Sequence, residues 1–164
     1  MDDFERSMTI VLQREGGHLA AEEATKQGDP GGETKRGTSK RPYPELDIGS
    51  LTKEQAKEIY HRDYWLPIQA DKMTWPLSLF VFDSAVNQGT HAAIRMMQIT
   101  LGTNDDGVIG PQTITLLSKA RQWHAAKFLA LRARRYVATS NFDKFGEGWL
   151  IRLFTVAMES WAHE

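Results

Sequence analysis

The stretch Phe4-Glu5-Arg6-Ser7-Met8-Thr9-Ile10-Val11-Leu12-Gln13-Arg14-Glu15-Gly16-Gly17 lies near the start of the chain and decides the predicted fold. Its apolar residues recur every three or four positions, which is the spacing of one face of an α-helix. Glu15 continues that face, four residues after Val11. Two glycines follow and predict the end of the helix, because glycine readily adopts the left-handed conformation found after many helices.

A carboxylate at this position has the character of a general acid. Partial burial and the negative end of the helix dipole both favour the protonated form of Glu15. That form can donate a proton to a leaving group. The alternative is that the helix frays and that the Glu15 side chain simply points into solvent. Its position in the sequence leaves both interpretations open.

Composition narrows the class of protein. The 164 residues, 41% hydrophobic and 25% charged, suit an ordinary soluble globular protein with one domain or two small lobes. A net charge of −1 argues against a nucleic-acid-binding protein. The absence of cysteine excludes disulfides, cysteine zinc sites and thiol nucleophiles. No apolar run approaches the ~20 residues of a membrane span. The acidic N-terminus is unlike a usual signal peptide, so we expect synthesis in the cytoplasm.

A turn-rich loop and a small β element are predicted next. The segment Gly28-Asp29-Pro30-Gly31-Gly32-Glu33-Thr34 is typical of a loop. Residues 35–49 contain two glycines and two prolines, so at most a small β-hairpin is expected there. Thr52-Lys53-Glu54-Gln55 fits a capping box and predicts a helix that continues to about Trp65, before Pro67.

Tyr60, Tyr64 and Trp65 form an aromatic cluster at the end of that helix. They suit a hydrophobic core. They would equally suit a platform for a sugar ring, because aromatic faces pack on C–H groups and a phenol donates hydrogen bonds.

The helix predicted after Pro76 is apolar on nearly all sides and is therefore expected at the centre of the domain. Its polar exceptions include Asp83, Asn87 and Gln88. Asp83 and Asn87 are four residues apart and share one side of the helix. If these two side chains are buried, they must be hydrogen-bonded. They then either fix the fold or line a cleft.

The C-terminal half is predicted to be helical throughout, giving six or seven helices in a mainly α protein. The expected helices cover 91–101, a segment starting at Gly110-Pro111, about 121–138 and about 147–162. The last has one apolar stripe, formed by Leu150, Leu153, Phe154, Ala157 and Trp161. Residues 119–152 are rich in Lys and Arg, with Lys127, Arg132, Arg134 and Arg135 expected on the helix around 121–138. Such a run indicates a solvated face or a surface for an anionic polymer.

Several chemistries are excluded by spacing. The five histidines do not form a His-x-x-x-His or His-Glu-x-x-His pattern, so no metal site is expected. There is no Gly-x-Ser-x-Gly elbow and no phosphate-binding loop. Asn104-Asp105-Asp106-Gly107 lacks the calcium-loop pattern and predicts a turn. Carboxylate chemistry without a cofactor remains.

Four motifs together resemble glycoside hydrolase family 108, the phage and prophage endolysins and related bacterial N-acetylmuramidases. They are, in order, Glu15-Gly16-Gly17, Asp29-Pro30-Gly31-Gly32-Glu33-Thr34, Tyr60 with Tyr64-Trp65, and Phe82-Asp83-Ser84-Ala85-Val86-Asn87-Gln88-Gly89. The second half, through Asp106-Gly107-Val108-Ile109-Gly110-Pro111, is similar to the peptidoglycan-binding segment of that family. The resemblance spans roughly residues 4 to 155.

The resemblance implies a lysozyme-like helical fold with a small β element near the active-site cleft. It implies a single domain over 1–164, with a catalytic half at about 4–89 and a peptidoglycan-binding-like half at about 90–160. The implied reaction is hydrolysis of the β-1,4 bond between N-acetylmuramic acid and N-acetylglucosamine in peptidoglycan glycan strands. The implied organisation is a monomer that reaches the periplasm or cell wall through a holin or secretion machinery.

The resemblance also implies roles for individual residues. Glu15 corresponds to the catalytic acid, with Asp29 and Thr34 as its partners. Gly31 and Gly32 would let the backbone approach a sugar closely. Tyr60, Tyr64, Trp65, Asp83, Asn87 and Gln88 are the other expected substrate-binding residues.

The sequence departs from the family's pattern around the expected cleft, where the segment from Glu15 to Asp29 is several residues longer than usual. After Thr34, Arg36-Gly37-Thr38-Ser39 replaces an aromatic-Gly-Ile-Ser pattern. Two other functions agree with the same residues: a peptidoglycan-binding protein without turnover, and a muramidase that serves secretion-associated wall remodelling.

Overall fold

The computed structural model describes residues 2–14, 34–35, 38–39 and 52–162. Within these ranges the chain forms seven α-helices, a two-stranded β-hairpin, one π-helical segment and one 3-10 turn. In chain order the elements are α1 (Asp3–Arg14), β1 (Thr34–Lys35), β2 (Thr38–Ser39), α2 (Lys53–Tyr60), the π-helical segment His61–Trp65, the 3-10 turn Ala70–Lys72, α3 (Leu77–Gln88), α4 (Thr90–Leu101), α5 (Pro111–Leu117), α6 (Gln122–Val137) and α7 (Phe142–Ala162).

Helix α1 packs on the core through the predicted face. Met8 and Val11 are buried, and Phe4 and Leu12 pack partly against the same core. Ile10 is also fully buried, so the covered face is wider than the predicted stripe. The helix starts after Asp2, whose carboxylate accepts a 2.8 Å hydrogen bond from the backbone N–H of Glu5.

The β element and α2 confirm two local predictions. Strands β1 and β2 are antiparallel, with Thr34 opposite Ser39 and Lys35 opposite Thr38. Helix α2 begins with the predicted capping box, because the Thr52 hydroxyl accepts from the Gln55 N–H and the Gln55 side chain accepts from the Thr52 N–H. The helix then widens into the π-helical segment before Pro67.

Helix α3 is the centre of the fold, as its all-round apolar sequence predicts. Every residue from Leu77 to Ala85 is buried. The helix packs against α1, α4, α6 and α7. Gly89 ends it with a backbone φ of 90°, which favours glycine, and α4 begins at the next residue.

One hydrophobic core joins the N- and C-terminal halves of the chain. It contains Met8 of α1, Phe82 of α3, Met97 of α4, Phe128 of α6 and Val156 of α7. The two predicted halves therefore share their buried surface in the described part of the chain, and their separate roles stay a prediction. None of the described helices is long and apolar enough to cross a membrane.

Helix α7 differs from its prediction in two respects. It begins at Phe142, five residues before the expected start at 147. The added segment includes Gly146, a residue type that weakens a helix on its own. Gly146 lies directly against the ring of Phe142, where a larger residue would clash with that ring. The apolar residues also divide between two faces, since Leu153 is buried whereas Phe154 and Trp161 are exposed.

Candidate functional site

The candidate catalytic acid follows helix α1 directly in the sequence. The helix ends at Arg14, and Glu15 is the next residue. Met8 and Val11, which share the predicted face with Glu15, are 1% and 0% exposed. The helix that precedes Glu15 in the sequence is thus anchored in the core.

Most residues of the predicted catalytic site lie outside the described residues. These are Glu15, Asp29, Gly31 and Gly32. Thr34 begins strand β1 and pairs with Ser39, but only its backbone is described. The catalytic assignments therefore remain predictions, although Thr34 does lie in the small β element expected near the cleft.

The structure corrects the sugar-platform interpretation of Tyr60 and Trp65. Both side chains are 1% exposed, and Trp65 meets Phe82 edge-on with 5.3 Å between ring centroids. The indole N–H of Trp65 donates a 2.8 Å hydrogen bond to Asp71, which satisfies its polar atom inside the core. A ring with almost no exposed surface has no face for a sugar, so these two residues fill the core.

Tyr64 occupies a different position from its two neighbours. It is half-buried at the edge of the core, and its ring lies 5.4 Å from that of Tyr60. It lies in the π-helical segment, a type of helix that often occurs at functional sites. Its substrate-binding role stays a prediction.

Asp83 is the centre of a buried ion-pair network rather than a substrate contact. It has no exposed surface. Oδ1 accepts a 2.7 Å hydrogen bond from Nη2 of Arg152, while Oδ2 forms an ion pair with the fully buried Arg132. The network joins α3 to α6 and α7. The expected substrate-binding role of Asp83 is therefore corrected, because a carboxylate enclosed by two guanidinium groups is not accessible to a glycan.

The charge state of Asp83 follows from two opposing effects. Burial raises the pKa of its carboxyl group, and the guanidinium groups of Arg132 and Arg152 lower it. The two cations outweigh the burial, so the pKa lies below its ordinary value and Asp83 is an anion at neutral pH.

Asn87 and Gln88 are the last two residues of helix α3. Tyr136 donates a 2.7 Å hydrogen bond to Oδ1 of Asn87 and accepts one of 3.1 Å from Arg132. Burial raises the pKa of Tyr136, which therefore stays protonated and keeps this donor role. Asn87 is exposed, and Gln88 is half-buried and accepts from Ser84. Both have surface available to a ligand, and their binding role stays a prediction.

Sequence reasoning missed the two arginines of this network. Arg132 was expected on the basic face of its helix with Lys127 and Arg134, and that prediction is wrong because Arg132 is 0% exposed. The available signal was Asp83 itself, since an aspartate in an all-apolar helix requires cationic partners. The sequence offered eight candidate cations over 119–152 and no means of choosing between them.

The loop before α5 is held by hydrogen bonds. Oδ1 of Asp106 accepts from the backbone N–H of Val108 and from the amide of buried Gln98, both at 2.9 Å. These donors lower the pKa of Asp106. The turn prediction for this loop is consistent with these bonds, and no group of three or more His, Asp or Glu suited to a metal occurs among the described residues.

Comparison with known proteins decides the family. The family model described as glycosyl hydrolase 108 matches residues 8–89, half of the 164-residue chain. The chain belongs to glycosyl hydrolase family 108. Its matched segment includes Glu15, Asp29, Thr34 and the whole of α3. No curated protein sequence matches the chain.

A solved structure extends the similarity beyond the matched segment. SagA of Brucella abortus is 27% identical to this chain and superimposes with a TM-score of 0.82, covering 97% of this chain and 94% of SagA. The predicted mainly α, lysozyme-like fold is confirmed. The family 108 protein is a glycoside hydrolase, and peptidoglycan is the substrate class that its membership supports.

Proposed function

We propose that this family 108 protein is an N-acetylmuramidase that cleaves the β-1,4 bond between N-acetylmuramic acid and N-acetylglucosamine. The observation that carries the proposal is that, in the sequence, Glu15 directly follows a helix that packs one face on the core, inside the segment that matches the family model. A catalytic acid needs a fixed position close to the bond that breaks, and α1 provides such a support.

The proposed chemistry uses two groups on opposite sides of the glycosidic bond. Glu15 protonates the leaving oxygen, and a second group, Asp29 with Thr34, stabilises the developing charge or activates water. Gly31 and Gly32 let the backbone approach the sugar. Thr34 begins β1, so its backbone is fixed by pairing with Ser39. Tyr64, Asn87 and Gln88 are the substrate contacts that keep exposed or half-buried surface.

The C-terminal half is proposed to hold the glycan strand rather than to cut it. The exposed Arg134 and Arg135 in the last turn of α6 give it a basic surface. Peptidoglycan carries carboxylate groups, and cations at the surface attract such an anionic polymer.

The biological setting follows from the proposed reaction and the resemblance. We propose a phage or prophage endolysin, made in the host cytoplasm and given access to the periplasm or cell wall by a holin or secretion machinery. Secretion-associated wall remodelling uses the same chemistry, and the neighbouring genes would distinguish the two settings.

Digestion of purified peptidoglycan tests the reaction directly. The expected products are muropeptides that end in a reducing N-acetylmuramic acid, identified by mass spectrometry after borohydride reduction. Fragments ending in reduced N-acetylglucosamine would identify a glucosaminidase and overturn the proposed bond. Binding to the sacculus without released fragments would support the peptidoglycan-binding alternative.

A further inference from the structure

The outer side of α7 carries an exposed apolar stripe that the proposed hydrolase chemistry does not use. The stripe consists of Ile151, Phe154, Met158 and Trp161, which are 58%, 62%, 65% and 60% exposed. Their spacing of three, four and three residues places them along one line of the helix. Isolated exposed apolar residues are ordinary, whereas a continuous row of four large ones marks an interaction surface.

A groove beside the stripe enlarges this surface. It has a volume of about 560 Å³ and is lined mostly by apolar side chains of α6 and α7, including Trp123, Phe154 and Trp161, with Pro76 and Phe80 also in the lining. Trp123 is itself 58% exposed. The stripe projects from α7 and the groove lies beside it, so a single face offers both a projection and a recess.

Helix α7 carries few charged side chains beside the stripe, and the nearest cation on α6, Nζ of Lys127, lies 5.8 Å from the centre of the Trp123 ring. Between residues 148 and 162, α7 has only Arg152 and Glu159 as charged residues. The Arg152 side chain is 15% exposed and turns inward to Asp83, and Glu159 is half-buried. Depletion of charge at the centre of a patch is typical of protein interfaces. An amphipathic helix for a lipid surface would instead carry Lys and Arg beside its apolar row.

We propose that this face binds a second copy of the same chain through an antiparallel pair of α7 helices. A two-fold axis between Phe154 and Met158 would place Met158 on Phe154 of the second copy and Trp161 on Ile151 of the second copy. Each contact then joins a larger side chain to a smaller one, and the same patch serves both copies, as an isologous interface requires. No like charges of the described helix face one another in this arrangement.

The available area is sufficient for a specific dimer. The four side chains of the stripe and Trp123 offer roughly 100–150 Å² each, given that large side chains bury about 150–250 Å² when fully covered. Their sum is roughly 600 Å² on each copy, or about 1,200 Å² in total, which reaches the lower end of specific interfaces. The proposed dimer differs from the monomer expected from the sequence.

Sedimentation velocity of the full chain tests the proposal. From about 1 to about 100 μM, a range that reveals a micromolar Kd, the protein should change from its monomer mass of 18.6 kDa to twice that value. Phe154→Lys and, separately, Met158→Lys should leave only the monomer. Val137→Lys is the matched control, because Val137 is 59% exposed, lies outside the stripe, and a lysine suits a helix C-terminus.

The outcomes separate the possible occupants of the face. A concentration-dependent dimer that both stripe variants abolish and Val137→Lys preserves supports the proposal. A monomer at all concentrations overturns it, as does a dimer that neither stripe variant affects. A monomer that floats with phosphatidylglycerol vesicles would assign the stripe to a lipid surface instead. Circular dichroism of each variant confirms that it is folded, and Met158→Lys provides the test if Phe154→Lys does not fold.

Discussion

Nη2 of Arg152 donates a 2.7 Å hydrogen bond to Oδ1 of Asp83, across 69 residues of sequence. Asp83 is completely buried, and Arg132 faces its other carboxylate oxygen. Through these two contacts the central helix α3 is tied to both α6 and α7. The network therefore ties the segment that the family model matches to helices near the C-terminus.

Asp83→Asn is expected to destabilise the protein by about 3–5 kcal/mol, because it leaves two guanidinium groups without a counter-charge inside the fold. Urea denaturation measures the change. Asp105→Asn is the matched control, since its pair with Arg95 lies at the surface with side chains 38% and 50% exposed. The control should cost less than about 1 kcal/mol. Equal losses in the two variants would show that burial of the Asp83 network adds nothing.

The stability contributed by Asp83 is expected to depend on pH in one direction. Its pKa in the folded protein lies below the ordinary 3.8, because the two arginines outweigh the effect of burial. Such a group contributes stability above its unfolded pKa and loses that contribution as pH falls through its folded pKa. The free-energy difference between wild type and Asp83→Asn should therefore be constant from about pH 5 to 8 and shrink below about pH 4. A difference that widens in acid would contradict the ion pairing.

Glu15→Gln is expected to abolish hydrolysis while leaving the melting temperature nearly unchanged. Glutamine keeps the shape of the side chain but cannot donate the catalytic proton, a contribution of about 10²–10⁴-fold. Turbidity of a cell-wall suspension and thermal unfolding measure the two effects. Glu5→Gln is the control, because Glu5 is a carboxylate of α1, the helix that precedes Glu15, and it pairs with Lys57. Lytic activity in pure Glu15→Gln protein would rule out Glu15 as the acid.

Asp29→Asn and Thr34→Ala are each expected to lower turnover by more than about tenfold, the scale of one lost transition-state contact. Binding to purified sacculi should change little, and a pull-down assay measures it. Full activity in Asp29→Asn would mean that the longer loop displaces Asp29 from the bond. Glu22, Glu23 and Glu33 are then the next carboxylates to replace.

Binding to sacculi is expected to weaken as salt rises from about 50 to about 300 mM, because salt screens exposed charges. Charge reversal at Arg134 and Arg135 should flatten this dependence. Nζ of Lys127 donates to the carbonyls of Ile99 and Thr100 at the end of α4, so charge reversal at Lys127 would also remove contacts within the fold. A double control, Lys53→Glu with Lys72→Glu, changes exposed lysines elsewhere. Equal salt dependence in both double variants would leave the basic face without a binding role.

Local patterns in the sequence were sufficient to predict most helices of the fold. The capping box at Thr52 and the glycine at 89 act through neighbouring backbone groups, so their effects can be predicted from a few residues. The expected helix at 121–138 occurs at Gln122–Val137 for the same reason. The start of α7 was predicted wrongly because it depends on how the ring of Phe142 packs over Gly146.

For the candidate site too, some features could be predicted from the sequence and others could not. The order and spacing of the motifs that contain Glu15, Asp29 and Thr34 indicated the family without any structure. Burial could not be predicted for Tyr60, Trp65 and Asp83, because the same residue types suit a sugar-binding cleft and a core.

The sequence by itself determined the helical periodicity, the caps and the family of this protein, since each depends on residues close together in the chain or on a linear pattern. Only the tertiary structure decided that Arg132 and Arg152 enclose Asp83, and that Phe154 and Trp161 face outward beside Leu153, which faces inward. The physical reason is that burial and ion pairing depend on which helices meet in space. A cation 69 residues away in sequence can be the nearest neighbour of a carboxylate once α3, α6 and α7 pack together.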